Sequence, residues 1–336
     1  MSWLLLQSKH FMEANKMKRI IVKGIGEPKE VLAVQEIEDL KPKSGEVLVQ
    51  MEAIPIHPAD LLVMRGRHVF SAQYPCGTGI EGAGRVIAHG EGVNEPAIGT
   101  RVALPYGGTW VEQVSIPAVA VIPLPDSIPL YQGAMLALNP VTALGLLAGM
   151  KSGEWLIHNA ANSSLGRLIT RVAKFKGIRN ISVIRRPGLE EELIANGADK
   201  VMIDGEDLAE RVKTYLGHGV HRALDAVAGE ATGRLFNCVA DFGTLTCYGL
   251  LGSDQAIFPS AQLIFRDVHV QGYSRLRYLK SLSPELAKQL YEELFKGFEQ
   301  GLFETPILRT FSFEEIHEAV HLAERSGGEG KVLLIP

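Results

Sequence analysis

Cysteine is scarce in this chain of 336 residues: Cys76, Cys238 and Cys247 are the only three. No pair stands at C-x-x-C spacing, so neither a disulfide framework nor a cysteine zinc site is written into the sequence, and a reducing compartment is the simplest expectation. A strong excess of either charge is also missing. Thirty-four lysines and arginines against 38 aspartates and glutamates leave a net charge of −4, which excludes a basic nucleic-acid footprint covering the whole chain. Long apolar runs are lacking too. The longest, from Ala134 to Met150, carries Asn139, Pro140 and Thr142 and falls short of the roughly 20 clean residues of a membrane span. The expectation is a soluble, cytoplasmic protein with no membrane or nucleic-acid partner. A composition of 46% hydrophobic and 21% charged residues is that of a folded chain, and at roughly 150 residues per domain the length predicts about two domains.

Residues 1–16 read as a detachable extension. Trp3-Leu4-Leu5-Leu6 is too short for a secretory core, and Glu13 with the absence of arginine argues against a transit peptide. Met17 to Val22 reads as the first strand. From there to about Ala134, short strand candidates alternate with Pro and Gly clusters: Val47 to Met51, Val86-Ile87, Val102 to Leu104, Trp110 to Val114 and Val119 to Ile122. This predicts an all-β unit, a small barrel. Near Asn139 the pattern changes. Apolar strands at Trp155 to Ile157, Ile181 to Ile184, Val201 to Ile203, Ala223 to Val227, Thr244 to Tyr248 and Asp267 to Gln271 now have helices between them, which predicts a doubly wound parallel sheet. Helices near Pro284 to Gln300 and Glu314 to Glu324 follow. A last strand, Lys331 to Ile335, is expected to return to the β unit.

Two motifs match famous patterns in the wrong setting. Gly77-Thr78-Gly79-Ile80-Glu81-Gly82 is a literal G-x-G-x-x-G, but a strand rather than a helix follows it, so these glycines are expected to make turns. His317-Glu318-Ala319-Val320-His321 matches H-E-x-x-H. The stripe Ile316, Ala319, Val320 and Ala323 places its histidines on the wet face, and no third ligand stands out nearby, so zinc is not expected. A third segment has the right setting without the consensus. Strand Trp155 to His158 runs through Asn159-Ala160-Ala161-Asn162-Ser163-Ser164-Leu165-Gly166 into a helix whose apolar face is Leu165, Leu168, Ile169, Val172 and Ala173. Small side chains let a diphosphate approach the backbone, and the free N–H groups of a helix start attract it. The bland alternative is an ordinary turn with a serine N-cap. The next strand ends in Arg185-Arg186, where an NAD enzyme places an acidic residue against the ribose 2′-hydroxyl. Arginines there suit a 2′-phosphate and predict NADPH, unless they merely face Glu190 to Glu192.

The stretches Ile56 to Asp60, Asn139 to Ala143, Asn159 to Gly166, Gly243 to Gly249, Leu263 to Asp267 and Gly330 to Val332 together resemble the medium-chain dehydrogenase/reductase superfamily. Within it the chain is similar to the zinc-free quinone oxidoreductases and, more closely, the trans-2-enoyl thioester reductases. The resemblance covers nearly all of Met17 to Pro336. It implies an α/β fold, a Rossmann domain (137–300) inserted in a GroES-like β-barrel domain (17–136 and 301–336), with the cleft between them and a homodimer formed through the Rossmann domains. It implies Asn139 and Thr142 near the nicotinamide, and Asn162, Ser163, Ser164 and Leu165 at the phosphates. Arg185, with Arg186 beside it, meets the 2′-phosphate; Tyr248, Gly249, Leu250, Leu251, Tyr273, Ser274 and Lys331 complete the site. One position departs from the pattern. The enoyl reductases carry a tyrosine, held to be the proton donor, two residues after the glycine that aligns with Gly66; this chain has His68, a residue able to donate near neutral pH.

The expected activity is metal-free hydride transfer from NADPH to an enone, an enoyl thioester or a quinone, with His68 and Thr142 as the candidate donors to the developing oxyanion. The altered donor also leaves open an NADPH-binding module with little turnover. A zinc alcohol dehydrogenase or H-E-x-x-H hydrolase is the third, metal-dependent possibility.

Overall fold

The alternation after Asn139 produces a six-stranded sheet that is parallel throughout. In a computed structural model that describes residues 16–67, 73–105, 107–326 and 328–336, its strands lie in the spatial order Lys200–Ile203, Arg179–Ile184, Trp155–His158, Val220–Asp225, Val239–Cys247 and His269–Gly272. Chain order reverses between Trp155–His158 and Val220–Asp225. The carboxyl ends of those two strands are therefore the topological switch point where open α/β sheets bind ligands. Helix Ser164–Phe175 buries Leu168, Ile169, Val172 and Ala173 against the sheet while Lys174 stays outside, as its apolar period dictates.

The β unit is built around Glu46–Pro55, which pairs antiparallel with Gly82–His89 and with Gln113–Pro117. Its seven-stranded sheet ends in Lys331–Leu334 and Ile307–Phe311, the former antiparallel to Glu46–Pro55 through Leu333 and Leu334 opposite Pro55 and Ile54. A smaller sheet of Leu32–Glu38, Lys16–Val22 and Cys76–Gly77 covers it. One apolar cluster runs without a break from Ala53, Ala83 and Ala103 of the β unit to Leu144, Leu168 and Phe303, so the two units share a core.

Two expected strands come out differently. Trp110 to Val114 crosses between sheets: Ile20 N–H donates to the Trp110 carbonyl at 2.8 Å and Met51 N–H to that of Glu112 at 2.8 Å, and only from Gln113 does a regular strand form. Val119 to Ile122 begins in a 3₁₀ turn, Ala118–Ala120, with Val119 97% exposed and Val121 buried. Only Ile122-Pro123 pairs, with Arg101–Leu104. Strand Leu32–Glu38 and helix Pro58–Met64 carried no strong sequence period and were not foreseen. Among the described residues no helix is long and apolar enough to cross a membrane.

Candidate active-site cleft

At the switch point, strand Trp155–His158 turns into helix Ser164–Phe175 through the small-residue segment. Ser163 is the N-cap, its hydroxyl oxygen accepting the Gly166 N–H at 3.0 Å. The cap leaves the hydroxyl hydrogen of Ser163 and the N–H groups of Ser164 and Leu165 without intrahelical partners. A Cβ on Gly166 would lie 2.4 Å from the Ala160 carbonyl oxygen, so only glycine lets the helix start this close to the strand end. Asn162, Ser163, Ser164 and Leu165 are all half-buried. The next strand, Arg179–Ile184, ends beside this turn, and Arg185 and Arg186 follow it fully exposed. Among the described residues neither forms an ion pair or side-chain hydrogen bond. Two of the acidic residues that could have claimed them are engaged elsewhere: Glu190 accepts the Gly188 N–H at 2.6 Å and Glu192 pairs with Arg167. A capped helix start at the switch point, with two guanidinium groups that form no ion pair among the described residues following the next strand, fits a 2′-phosphorylated dinucleotide.

The strand Val239–Cys247 delivers Tyr248, Gly249 and Leu250 half-buried, and Leu251 exposed, on the far side of the switch point. Tyr273, after the edge strand His269–Gly272, turns its hydroxyl toward helix Asn139–Leu146, where a Cβ on Gly145 would lie 2.2 Å from it. Ser274 beside it is exposed. Asn139 opens that helix and is half-buried; Thr142, buried, donates its hydroxyl to the Leu138 carbonyl at 2.7 Å. The Thr142 hydrogen is thus engaged, and donation to a substrate oxyanion requires it to turn away from Leu138. His68 lies outside the described residues. Arg67 reaches the Leu250 carbonyl at 3.5 Å.

Around Lys331 the structure holds a charged cluster whose pairing the sequence did not reveal. Lys331, 6% exposed, donates from Nζ to His57 Nδ1 at 2.9 Å. An ammonium only donates, so Nδ1 accepts, and the ring hydrogen sits on Nε2, which donates to Glu81 Oε1 at 2.7 Å. The other oxygen, Glu81 Oε2, accepts the N–H groups of Ala137 at 3.0 Å and Leu138 at 2.7 Å. Arg275 donates to the Ala137 carbonyl at 3.2 Å. Glu81 therefore joins the β unit to the residues directly ahead of Asn139 and Thr142. It belongs to the glycine motif set aside as turns, and those turns are present: Gly79 has φ +101°, and no helix follows the motif. His57 and Asp60 stood in one of the resembling stretches; the side-chain partners of His57 could not be read because they lie 24 and 274 residues away.

Burial governs the protonation of this cluster. It pushes His57 down, with Lys331 adding to the effect, so His57 is neutral. It pulls Lys331 down to about 8. It raises Asp60, whose Oδ2 accepts the His57 N–H at 2.8 Å and whose Oδ1 has no partner, from 3.8 to about 7. A carboxyl with a raised folded pKa keeps its proton in the native state, so stability is full below the unfolded value and is lost as pH climbs from about 4 to about 7. At one pKa unit per 1.36 kcal/mol the total is about 4 kcal/mol. Asp60→Asn keeps the acceptor for His57 and cannot ionise. It should be more stable than the parent at pH 8, with the gap shrinking to about a third at pH 5, in urea melts at the two values. A gap of equal size at both would refute the assignment.

The H-E-x-x-H helix, Ile316–Arg325, behaves as its stripe predicts. Ile316, Ala319 and Val320 are buried, His317 and His321 are exposed, and His321 Nε2 meets Arg325 at 3.2 Å. Among the described residues no three His, Cys, Asp or Glu side chains are grouped to hold a metal ion.

Comparison with known proteins agrees with this fold. Residues 43–126 match the alcohol dehydrogenase GroES-like domain family and residues 196–334 the zinc-binding dehydrogenase family. A mitochondrial enoyl-[acyl-carrier-protein] reductase of Caenorhabditis elegans is 30% identical over 299 residues, covering 86% of this chain and 86% of that protein. A protein assigned as an NADPH:quinone reductase from Bacillus thuringiensis superposes with a TM-score of 0.88 at 28% identity, over 96% of this chain and 99% of that one. A mycobacterial protein solved in complex with NADPH gives 0.84 at 25% identity, over 95% and 100%. Similarity at this level spans both the β unit and the doubly wound sheet, and it places the chain in the medium-chain dehydrogenase/reductase superfamily, within the zinc-free branch of the enoyl thioester and quinone reductases.

Proposed function

We propose that this protein is a zinc-independent, NADPH-dependent reductase that delivers hydride to an activated C=C, as in an enoyl thioester or enone, or to a quinone. The observation that carries the reading is the uncommitted pair Arg185 and Arg186 beside the Ser163-capped turn at the switch point, in a chain whose relatives are named for enoyl and quinone reduction. NADPH bound there would supply the hydride. The chain's own part is to hold and orient. Asn162 to Leu165 face the diphosphate, and the two arginines face the 2′-phosphate. Tyr248 to Leu251, Tyr273-Ser274 and Lys331 line the remainder, and Asn139 and Thr142 lie at the nicotinamide. His68 is the candidate proton donor, with Thr142 helping to meet the oxyanion.

The domain division that goes with this reading is 17–136 with 301–336 against 137–300; the pairing of Leu333-Leu334 with Ile54-Pro55 supports it. A homodimer is the proposed assembly. Its support is the edge strand His269–Gly272, exposed at all four residues, with Ile264 and Phe265 68% and 85% exposed close by in sequence. A cytoplasmic location is proposed on three free thiols, while the enoyl reductase relatives are named as mitochondrial.

The deciding experiment follows the 340 nm absorbance of NADPH and NADH across enoyl thioesters, enones and quinones. Oxidation of NADPH in preference to NADH with at least one class is the expected result. Binding without oxidation across the whole panel would instead mark a dinucleotide-binding module, and a preference for NADH would overturn the cofactor assignment.

A further inference from the structure

Two buried side chains between the central strands have no part in the site as drawn so far. Asp225, fully buried at the end of Val220–Asp225, accepts four hydrogen bonds. Its Oδ1 takes Asn159 Nδ2 at 2.6 Å, the Val227 N–H at 2.9 Å and the Ala228 N–H at 3.1 Å; its Oδ2 takes the Thr232 hydroxyl at 2.6 Å. No cation contacts it among the described residues. Asn159, 4% exposed at the end of the neighbouring strand, returns the contact by accepting the Ala226 N–H on its Oδ1 at 2.7 Å. A buried carboxylate without a counter-charge is expensive, and this one is tolerated because four donors surround it.

The strain in the surroundings shows where that interaction acts. Ala160, directly after Asn159, has φ +49°, and Ala228, held by Asp225, has φ +65°. Left-handed backbone at a residue with a Cβ costs about 1 kcal/mol or more and persists only where neighbouring contacts impose it. Ala160 begins the turn that leads to Asn162 and Ser163. The loop Ala226 to Gly229 carries the other side: Leu251 N–H donates to the Ala226 carbonyl at 3.0 Å and Gly252 N–H to that of Val227 at 2.8 Å. A Cβ on Gly249 would lie 2.6 Å from the Ala226 oxygen.

We propose that Asn159 and Asp225 form a positioning pair that sets the separation and shape of the two loops on either side of the dinucleotide, so that cofactor affinity depends on residues that do not touch it. The inference rests on the NADPH reading above.

Asn159→Asp tests it with a signature that a general loss of packing does not produce. The substitution sets two carboxylates at hydrogen-bond distance, where each disfavours ionisation of the other. At pH 8 they repel and the loops move apart; at pH 5.5 a shared proton restores a donor between them. The titratable groups facing Asp225 are Cys247, pushed up by burial to about 11, and Tyr248, raised by burial, so neither titrates in this interval. Fluorescence titration should show NADPH bound at least tenfold more weakly than by the parent at pH 8, with most of the loss recovered at pH 5.5. Asn159→Ala, which has no proton to share, should be weakened at both. An Asn159→Asp constant equal to the parent's at pH 8, or depressed equally at both values, overturns the proposal. Circular dichroism accompanies each titration. If Asn159→Asp is unfolded at pH 8, the constant of Asn159→Ala decides, and parental affinity overturns the proposal. A parent that binds no NADPH at either pH refutes the cofactor reading and takes this inference with it, an outcome distinct from the others.

Discussion

Replacing Arg185 and Arg186 together by alanine should weaken NADPH binding by about ten- to a hundredfold while leaving NADH unchanged. A charge-assisted hydrogen bond is worth about 1.5–3 kcal/mol, and a guanidinium can make two to one phosphate. Both side chains are exposed and hold nothing else in place among the described residues, so the fold has little reason to respond. The 2′-phosphate is the feature that distinguishes the two cofactors, so the loss falls on one of them alone. Salt gives a second handle. Raising the ionic strength should weaken NADPH binding to the parent and have a much smaller effect on the double variant, because exposed charges are screened within about a Debye length. Paired titrations of NADPH and NADH at two salt concentrations check both points. Equal losses for the two cofactors would show that the arginines act on the fold or on the diphosphate, and the assignment of the 2′-phosphate would be lost.

Glu81→Ala should have the largest effect on stability, about 3–5 kcal/mol. Glu81 is 1% exposed and its carboxylate accepts from His57, Ala137 and Leu138. Truncation leaves three buried donors without acceptors and the Lys331 ammonium without the carboxylate that compensates it, and breaking a buried charge pair from one side typically costs that much. Glu81→Gln should fall between parent and alanine variant. Its one oxygen can serve the Ala137 and Leu138 amides or His57 Nε2, but its NH₂ then faces a second donor. Urea denaturation at pH 7 gives the comparison. An alanine variant within 1 kcal/mol of the parent would mean that the cluster is held by packing and not by Glu81. Because Ala137 and Leu138 lead into the helix of Asn139 and Thr142, the glutamine variant should also turn over more slowly if it folds.

The parts of the site that could be read beforehand share a physical cause. The Ser163 turn, Gly166 and the Arg185-Arg186 pair lie within one β-α-β unit, where strand period, cap chemistry and the residue after the second strand act over a few residues and are written in order along the chain. The same locality made the glycine motif at Gly77 readable as turns, from the strand that follows it. Periodicity failed at Val119 to Ile122 for the opposite reason: Val121 packs into the core but Val119 is exposed, so the chain turns there and only Ile122 goes on to pair.

The Lys331-His57-Glu81 chain and the Asn159-Asp225 pair were out of reach of such reading. Their members lie 274, 24 and 66 residues apart, and each residue alone looks like an ordinary surface-type side chain. What makes them matter is exclusion of water, which strengthens every charge and hydrogen bond inside and is a property of the assembled core, absent from any local stretch. Local pattern thus carried the proposed cofactor chemistry; which groups are buried and paired with one another was settled when distant strands came together and shut out the solvent.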